Sequence, residues 1–257
     1  MRLGITLIPL LLLGLTACGP DTPPPTDPGT LVLRTKTYVG MPSPKPAVLP
    51  EFSLYGGGRL LVPGEPEGTL QVVSTKRLDD RAVRNVYAAA HGADLDRDEF
   101  VPNDDVLDGF LLVFTLYGGE GRRHQVRAAT PTSEYGGRLE ELADFQDDLA
   151  EVAKEAEAVP EHYRPTRMAA IAWASSTYPK ETDVRPWPFA SFAGTQSVDG
   201  GRCVVVEGDA LRQAENLARS AVPTTRWRTA ETTWRVVFRP LLPDEKSCED
   251  LVIPRQN

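Results

Sequence analysis

Phe52-Ser-Leu-Tyr-Gly-Gly57 and Phe114-Thr-Leu-Tyr-Gly-Gly119 repeat one phrase: aromatic, hydroxyl, leucine, tyrosine, two glycines, then a basic strand. The second copy closes Phe110–Tyr117 (FLLVFTLY), a continuous apolar run of strand length that reads as a strand buried on both faces. Glycines after the tyrosine supply the positive φ that a tight turn needs. Each phrase therefore reads as one arm of a β-hairpin, with Arg59–Val62 and Arg123–Ala129 returning. A helical pattern follows each hairpin. Thr75–Ala90 carries Leu78, Val83, Val86 and Ala90 near helical spacing, with Ser74 or Thr75 as cap and Gly92 as stop. Arg138–Val159 carries Leu139, Leu142, Phe145, Leu149, Val152, Ala156 and Val159 on one stripe, with Ser133 as a candidate cap and Pro160 as the stop. Two accounts of the echo stand: two related hairpin–helix units, near residues 31–92 and 110–159, or chance similarity between hairpins.

Outward from these hairpins the pattern stays mixed. Leu31–Val39 reads as a strand, and Leu70–Ser74 as a short one. Met168–Ala174 is apolar and bounded by Pro165 and Ser175-Ser176, which predicts another strand. Thr177–Phe189 holds three prolines and reads as a loop. Asp199-Gly-Gly201 signals a turn, Cys203–Val206 an interior strand, and Gly208-Asp209 the start of a helix running to Ala221. Trp234, Val236 and Phe238 alternate along Thr233–Arg239, a final strand with one buried face. The expected class is α+β: an antiparallel, β-hairpin-rich sheet with about three packed helices, built from residues 31–257 as a single domain. Strands and helices do not alternate strictly, which disfavours a doubly wound parallel sheet.

Ahead of this region the composition changes. Arg2 precedes the apolar run Ile5–Leu13, too short for a bilayer span of about 20 residues. Leu15-Thr-Ala-Cys18 follows, and the whole resembles a bacterial lipobox signal peptide, with residues 1–17 removed. That resemblance implies a diacylglyceryl group on the Cys18 thiol, hence an exported protein anchored by lipid at the outer face of the cell membrane, or at the outer membrane of a diderm host. A single acyl chain binds marginally and two hold stably. Gly19–Thr30 (GPDTPPPTDPGT) is Pro-rich and reads as a polyproline tether behind the lipidated cysteine, residues 18–30 in all.

The chain has 257 residues and a formal charge of -8; without Arg2 the charge is one unit more negative. An acidic surface disfavours polyanionic partners, so nucleic acid is not expected. Of three cysteines, the lipobox resemblance implies that Cys18 takes the lipid. Cys203 and Cys248 are left in a disulfide-permissive compartment, and pairing is the expectation.

Catalytic signatures are sparse. Asp94, Asp96 and Asp98 open a stretch of carboxylates running to Asp108, spaced as hard oxygen ligands for calcium. The sixth loop position is Glu99 where an EF-hand needs Gly, and the twelfth is Asp105 where Glu is usual, so a solvated acidic loop is the favoured account. Glu161-His162 is an adjacent acid–base pair. The chain has no H-E-x-x-H, no G-x-S-x-G elbow and no phosphate loop ending in Lys-Ser/Thr. Trp187 and Phe189, set between prolines, read as binding anchors or as plugs into a core, the second favoured. Arg226, Trp227, Arg228, Trp234, Arg235 and Arg239 form a basic-aromatic strip, read as an internal complement to the acidic loop.

Two motifs carry a family resemblance. Phe52-Ser-Leu-Tyr-Gly-Gly-Gly-Arg59, closing with Val62-Pro-Gly64, and Arg239-Pro-Leu-Leu-Pro-Asp-Glu245 with Cys248 are similar to segments of uncharacterised secreted proteins and lipoproteins of GC-rich, largely actinobacterial genomes. The resemblance implies an exported location and brings no activity with it. The functional expectation is a non-enzymatic envelope lipoprotein that binds an envelope protein or a small ligand. The alternative is an envelope hydrolase using carboxylates of the 94–108 loop or Glu161 and His162.

Overall fold

The computed structural model describes residues 23–39, 49–106, 109–118, 121–160, 163–175, 183–193, 195, 197–198, 200–230 and 232–252. Cys18 with its lipobox, Asp108, Glu161 and His162 lie outside these residues. In chain order the strands and helices are β1 (Leu31–Val39), β2 (Phe52–Tyr55), β3 (Arg59–Pro63), β4 (Val73–Arg77), α1 (Asp80–Gly92), β5 (Glu99–Val101), β6 (Phe110–Tyr117), β7 (Arg123–Ala129) and α2 (Gly137–Glu155). There follow β8 (Glu157–Ala158), β9 (Arg167–Ala174), β10 (Val184–Pro186), β11 (Ser197–Val198), β12 (Gly201–Glu207), α3 (Asp209–Ser220), β13 (Arg226–Thr229) and β14 (Thr232–Pro240).

The class is α+β, with three α-helices among the described residues on mostly antiparallel strands. The strands form two sheets rather than one, ordered β5-β7-β6-β1-β2-β3-β4-β8 and β10-β13-β14-β9-β12-β11. Parallel pairing occurs at β5–β7 and β10–β13.

The repeated phrase has a geometric meaning. β1 pairs antiparallel with β2 on one side and β6 on the other. Phe52 and Phe114 both stand opposite Thr35, and Leu54 and Leu116 both stand opposite Leu33. With a side-chain period of two, matched register sends matched residues to the same face. Leu33, Phe52, Leu54, Phe114 and Leu116 are all buried in one core with Val83, Val86 and Tyr87 of α1 and Leu142, Phe145 and Leu149 of α2. Arg34, opposite Ser53 and Thr115, belongs to the other face. Both hairpins thus share β1.

Three glycines after Tyr55 make a short 3-10 turn. Gly58 has φ 78°, and a Cβ there would lie 2.1 Å from the Leu78 carbonyl oxygen. A Cβ on Gly56 would meet the Asp27 carbonyl oxygen at 2.1 Å. The glycines therefore admit two backbones as well as turning the chain.

Several boundaries differ from expectation. The first helix starts at Asp80, and its cap is Asp79, whose side chain accepts from the Ala82 N–H. Thr75–Arg77 is strand instead, because β4 pairs with β3 and with β8. Leu70–Ser74 is correspondingly strand only from Val73; Leu70 bridges instead to Phe238 of the second sheet. The second helix ends at Glu155, and Glu157–Ala158 turn into that short strand β8. Its cap position is Gly136 with no side-chain bond, rather than Ser133. Part of the loop before Phe189 is β10, held parallel to β13.

The second sheet carries α3 on one face, with Ala214 and Ala218 against Met168, Trp227 and Phe238. Its other face packs Ile171, Trp173 and Cys203 against Leu241, Cys248 and Leu251 of the C-terminal segment. Leu242 of that segment packs with Leu31, Tyr55 and Leu61 of the first sheet. The segment after β14 is thus wedged between the two sheets. Cys203 and Cys248 are bonded, at Sγ–Sγ 2.02 Å, closing a loop of 45 residues. Chain entropy makes such a bond worth about 4 kcal/mol at most. Mass mapping without reductant is expected to find the two cysteines in one linked peptide pair. The Cys203→Ser/Cys248→Ser protein is expected to unfold at lower denaturant, by up to about that amount.

Candidate functional site

Where the sheets meet, the wedge segment makes a buried polar network. Arg239 at the end of β14 is fully buried. Its guanidinium donates twice to Glu245, Nη1 to Oε2 at 2.7 Å and Nη2 to Oε1 at 2.9 Å. A planar fork on a carboxylate is the geometry that best repays the loss of water. The Leu242 N–H donates to Glu245 Oε2 at 2.8 Å. From the first sheet Arg34 approaches Glu245 at 3.6 Å and donates to Asp244 Oδ1 at 2.7 Å and to the Tyr55 hydroxyl at 2.9 Å. The Tyr55 hydroxyl in turn donates to Asp244 Oδ1 at 2.5 Å. The two motifs that carried the family resemblance therefore meet in space through Tyr55 and Asp244.

The charges tune one another. Burial pushes the Glu245 carboxyl up, but the Arg239 charge and hydrogen bonds, with Arg34 and the Leu242 N–H behind them, outweigh it and hold it at about 2. Tyr55 is raised by burial and by the nearby Asp244 carboxylate, with Arg34 opposing. Tyr163, whose hydroxyl donates to the Leu241 carbonyl at 2.7 Å, is pushed up to about 12 by burial and then by the Glu245 charge.

Outside this network lies a cleft of about 480 Å³ lined by Arg59, Thr75, Lys76, Arg77, Val159, Tyr163 and Arg164. Among the described residues that line it, four are cations and none is a carboxylate, on a chain whose net charge is -8. Arg59 arches over the Tyr55 ring, 5.4 Å from its centroid, and donates to the Pro28 carbonyl at 2.7 Å. Its Nε is buried and without a hydrogen-bond partner. Lys76 donates to the Ala153 carbonyl at 2.6 Å, which closes the C-terminal end of α2. Tyr163 and Arg164 also line a neighbouring hollow of about 620 Å³ that reaches Leu211, Arg212 and Glu215 of α3.

The sequence-nominated residues lie elsewhere. Asp94 pairs with Arg97 at 3.3 Å, Asp96 with His91 at 3.4 Å, and Asp98 accepts the Gln125 N–H at 2.7 Å. Three carboxylates thus serve three different partners, and no trio of His, Cys, Asp and Glu is gathered for a metal among the described residues. The strand β5 begins at Glu99, where an EF-hand loop would have to turn.

Trp187 is buried among Phe192, Phe189, Trp227 and Phe238, with ring centroids 4.5 to 5.9 Å away, and donates its Nε1–H to the Ala190 carbonyl. It plugs the core of the second sheet, and Phe189 packs half-buried beside it. Among the described residues the partners shown for the basic-aromatic strip lie away from the acidic loop. Arg239 pairs with Glu245, Arg226 donates to Ser175, and Arg235 lies over Trp173 at 5.2 Å. The acidic loop's cations are Arg97 and Arg138 instead. Sequence reasoning missed the cleft because Arg59, Lys76 and Arg164 come from separate strands and a loop; the one signal was the basic residue after each glycine turn.

Replacing Arg239 by Met strands a buried carboxylate and is expected to cost about 3–5 kcal/mol in urea unfolding, with Arg239→Met/Glu245→Leu recovering most of it. The depressed Glu245 carboxyl adds stability that is whole above its unfolded value of about 4.5 and is lost as pH falls through about 2. Urea midpoints measured from pH 5 to pH 2 should therefore fall more steeply for the wild type than for Glu245→Gln. Truncating the Trp187 plug to Ala is expected to cost about 3–5 kcal/mol in the same assay.

No family model, no curated protein and no solved structure matches this chain.

Proposed function

We propose that this chain is an exported, lipid-anchored envelope protein that acts as a non-enzymatic binding module, with the basic cleft at the root of its tether as the binding surface. The anchor reading rests on Arg2, the Ile5–Leu13 run and Leu15-Thr-Ala-Cys18. The binding reading is carried by one observation: the cleft of Arg59, Lys76, Arg77, Tyr163 and Arg164 gathers charge of one sign from separate parts of the chain. Like charges brought together repel, so such a gathering persists where an opposite charge repays it. The cleft adjoins the tether, since Arg59 donates to Pro28 and Gly56 packs on Asp27. Whatever binds there is presented beside Asp27 and Pro28 of the tether. Among the described residues no helix is long and apolar enough to cross a membrane.

Labelled fatty acid is expected to enter the wild-type protein and not Cys18→Ala, and label on that variant would refute the anchor. Crosslinking of the intact protein in its own membranes should capture a component that is lost from Arg77→Gln/Arg164→Gln. An identical capture profile for both proteins would remove the cleft as the binding surface.

A further inference from the structure

We propose that the basic cleft takes a phosphate group, with Arg77 and Arg164 as its ligating cations. The inference deepens the binding reading above and rests on it.

The argument starts from charge. A single carboxylate leaves most of the four cations lining this cleft uncompensated, whereas a phosphate carries up to two negative charges and spreads them over several acceptor oxygens. Guanidinium forks match that geometry bidentately, and three of the four cations are arginines.

The second point is availability. Arg77 and Arg164 are exposed and, among the described residues, their side chains show no ion pair or hydrogen bond, although Glu157 stands opposite Arg77 across the β4–β8 pair. Among the described residues Arg97, Arg138, Arg167, Arg185 and Arg219 pair with carboxylates, whereas Arg81, Arg84 and Arg212 on the helices, like Arg77 and Arg164, show no such pair; what sets Arg77 and Arg164 apart is that they line one cleft together. Arg59 lines the cleft as well, and its buried Nε–H has no hydrogen-bond partner among the described residues. The Thr75 hydroxyl is a further donor in the lining.

Size is the third point. About 480 Å³ is far more than a bare phosphate fills, and Val159 and Tyr163 give the remainder an apolar and aromatic wall. The cleft has room for the body that carries the phosphate.

Two sources present this chemistry: a soluble phosphate compound and the headgroup of a phospholipid. The second is within reach. Pro28, bonded to Arg59, is ten residues from Cys18, and ten extended residues span at most about 36 Å.

The test uses the full chain in a non-ionic detergent at low salt, titrated calorimetrically with inorganic phosphate and, separately, with short-chain phosphatidic acid. At least one probe is expected to bind, with affinity falling as salt is raised. Arg77→Gln/Arg164→Gln is expected to weaken binding tenfold or more at an unchanged melting temperature. Arg84→Gln, on the exposed face of α1, is expected to leave it unchanged. Binding of inorganic phosphate assigns a soluble ligand, and binding of phosphatidic acid alone assigns a headgroup; either supports the proposal. No binding of either probe to the wild type, or equal binding by the double variant, overturns it. If capture of an envelope component still depends on Arg77 and Arg164 while both probes fail, the binding module stands and the phosphate assignment falls.

Discussion

The fully buried ion pair between Arg239 and Glu245 is the constraint on which the arrangement of the two sheets depends. Arg239 ends the last strand of the second sheet, and Glu245 sits in the turn that follows it. Because Arg34 reaches the same carboxylate and its neighbour Asp244 from the first sheet, the pair joins the sheets as well as pinning the turn. A buried pair of this kind is not strong evidence for added stability, since desolvation consumes much of the attraction. Its contribution is specificity of arrangement. A slipped wedge segment would leave Arg239 and Glu245 without partners in a place that water does not reach, and that cost excludes alternatives.

Apolar contacts on either side carry the same segment. Leu242 faces the first sheet, while Leu241, Cys248 and Leu251 face the second. The disulfide ties the far end of the wedge to β12. Polar pairing, apolar burial and a covalent bond thus act on about a dozen consecutive residues. The neighbouring cleft inherits this rigidity, because Tyr163 is held by the Leu241 carbonyl and Arg59 lies over Tyr55. Charge on this protein is local: an acidic chain keeps a hollow whose charged lining, among the described residues, consists of cations.

Much of the architecture was legible beforehand, for identifiable reasons. The strands β1, β2, β6, β9, β12 and β14 are legible because each is a run of β-branched, aromatic or apolar residues with clear ends. The helix α3 was read from Gly208-Asp209 and its spaced apolar residues. The repeated phrase carried register information that surfaced only when both copies proved to flank β1. The strands β5, β8 and β10 are two or three residues long, and nothing in their residues distinguishes them from loop. They exist because neighbouring backbones offer hydrogen bonds, and Thr75–Arg77 left the helical reading for the same reason.

What the sequence by itself determined about this protein is its class and its hairpins, because periodicity and turn chemistry act over a few residues; it also points to the Cys203–Cys248 bond, which the structure contains. The tertiary structure alone decided that the strands divide into two sheets and that Arg239 answers Glu245 rather than the acidic loop. It alone gathered Arg59, Lys76, Arg77 and Arg164 around one cleft. The physical reason is range: a Coulomb or packing partner is chosen by distance in space, and residues far apart in the chain become neighbours only once the sheets have formed.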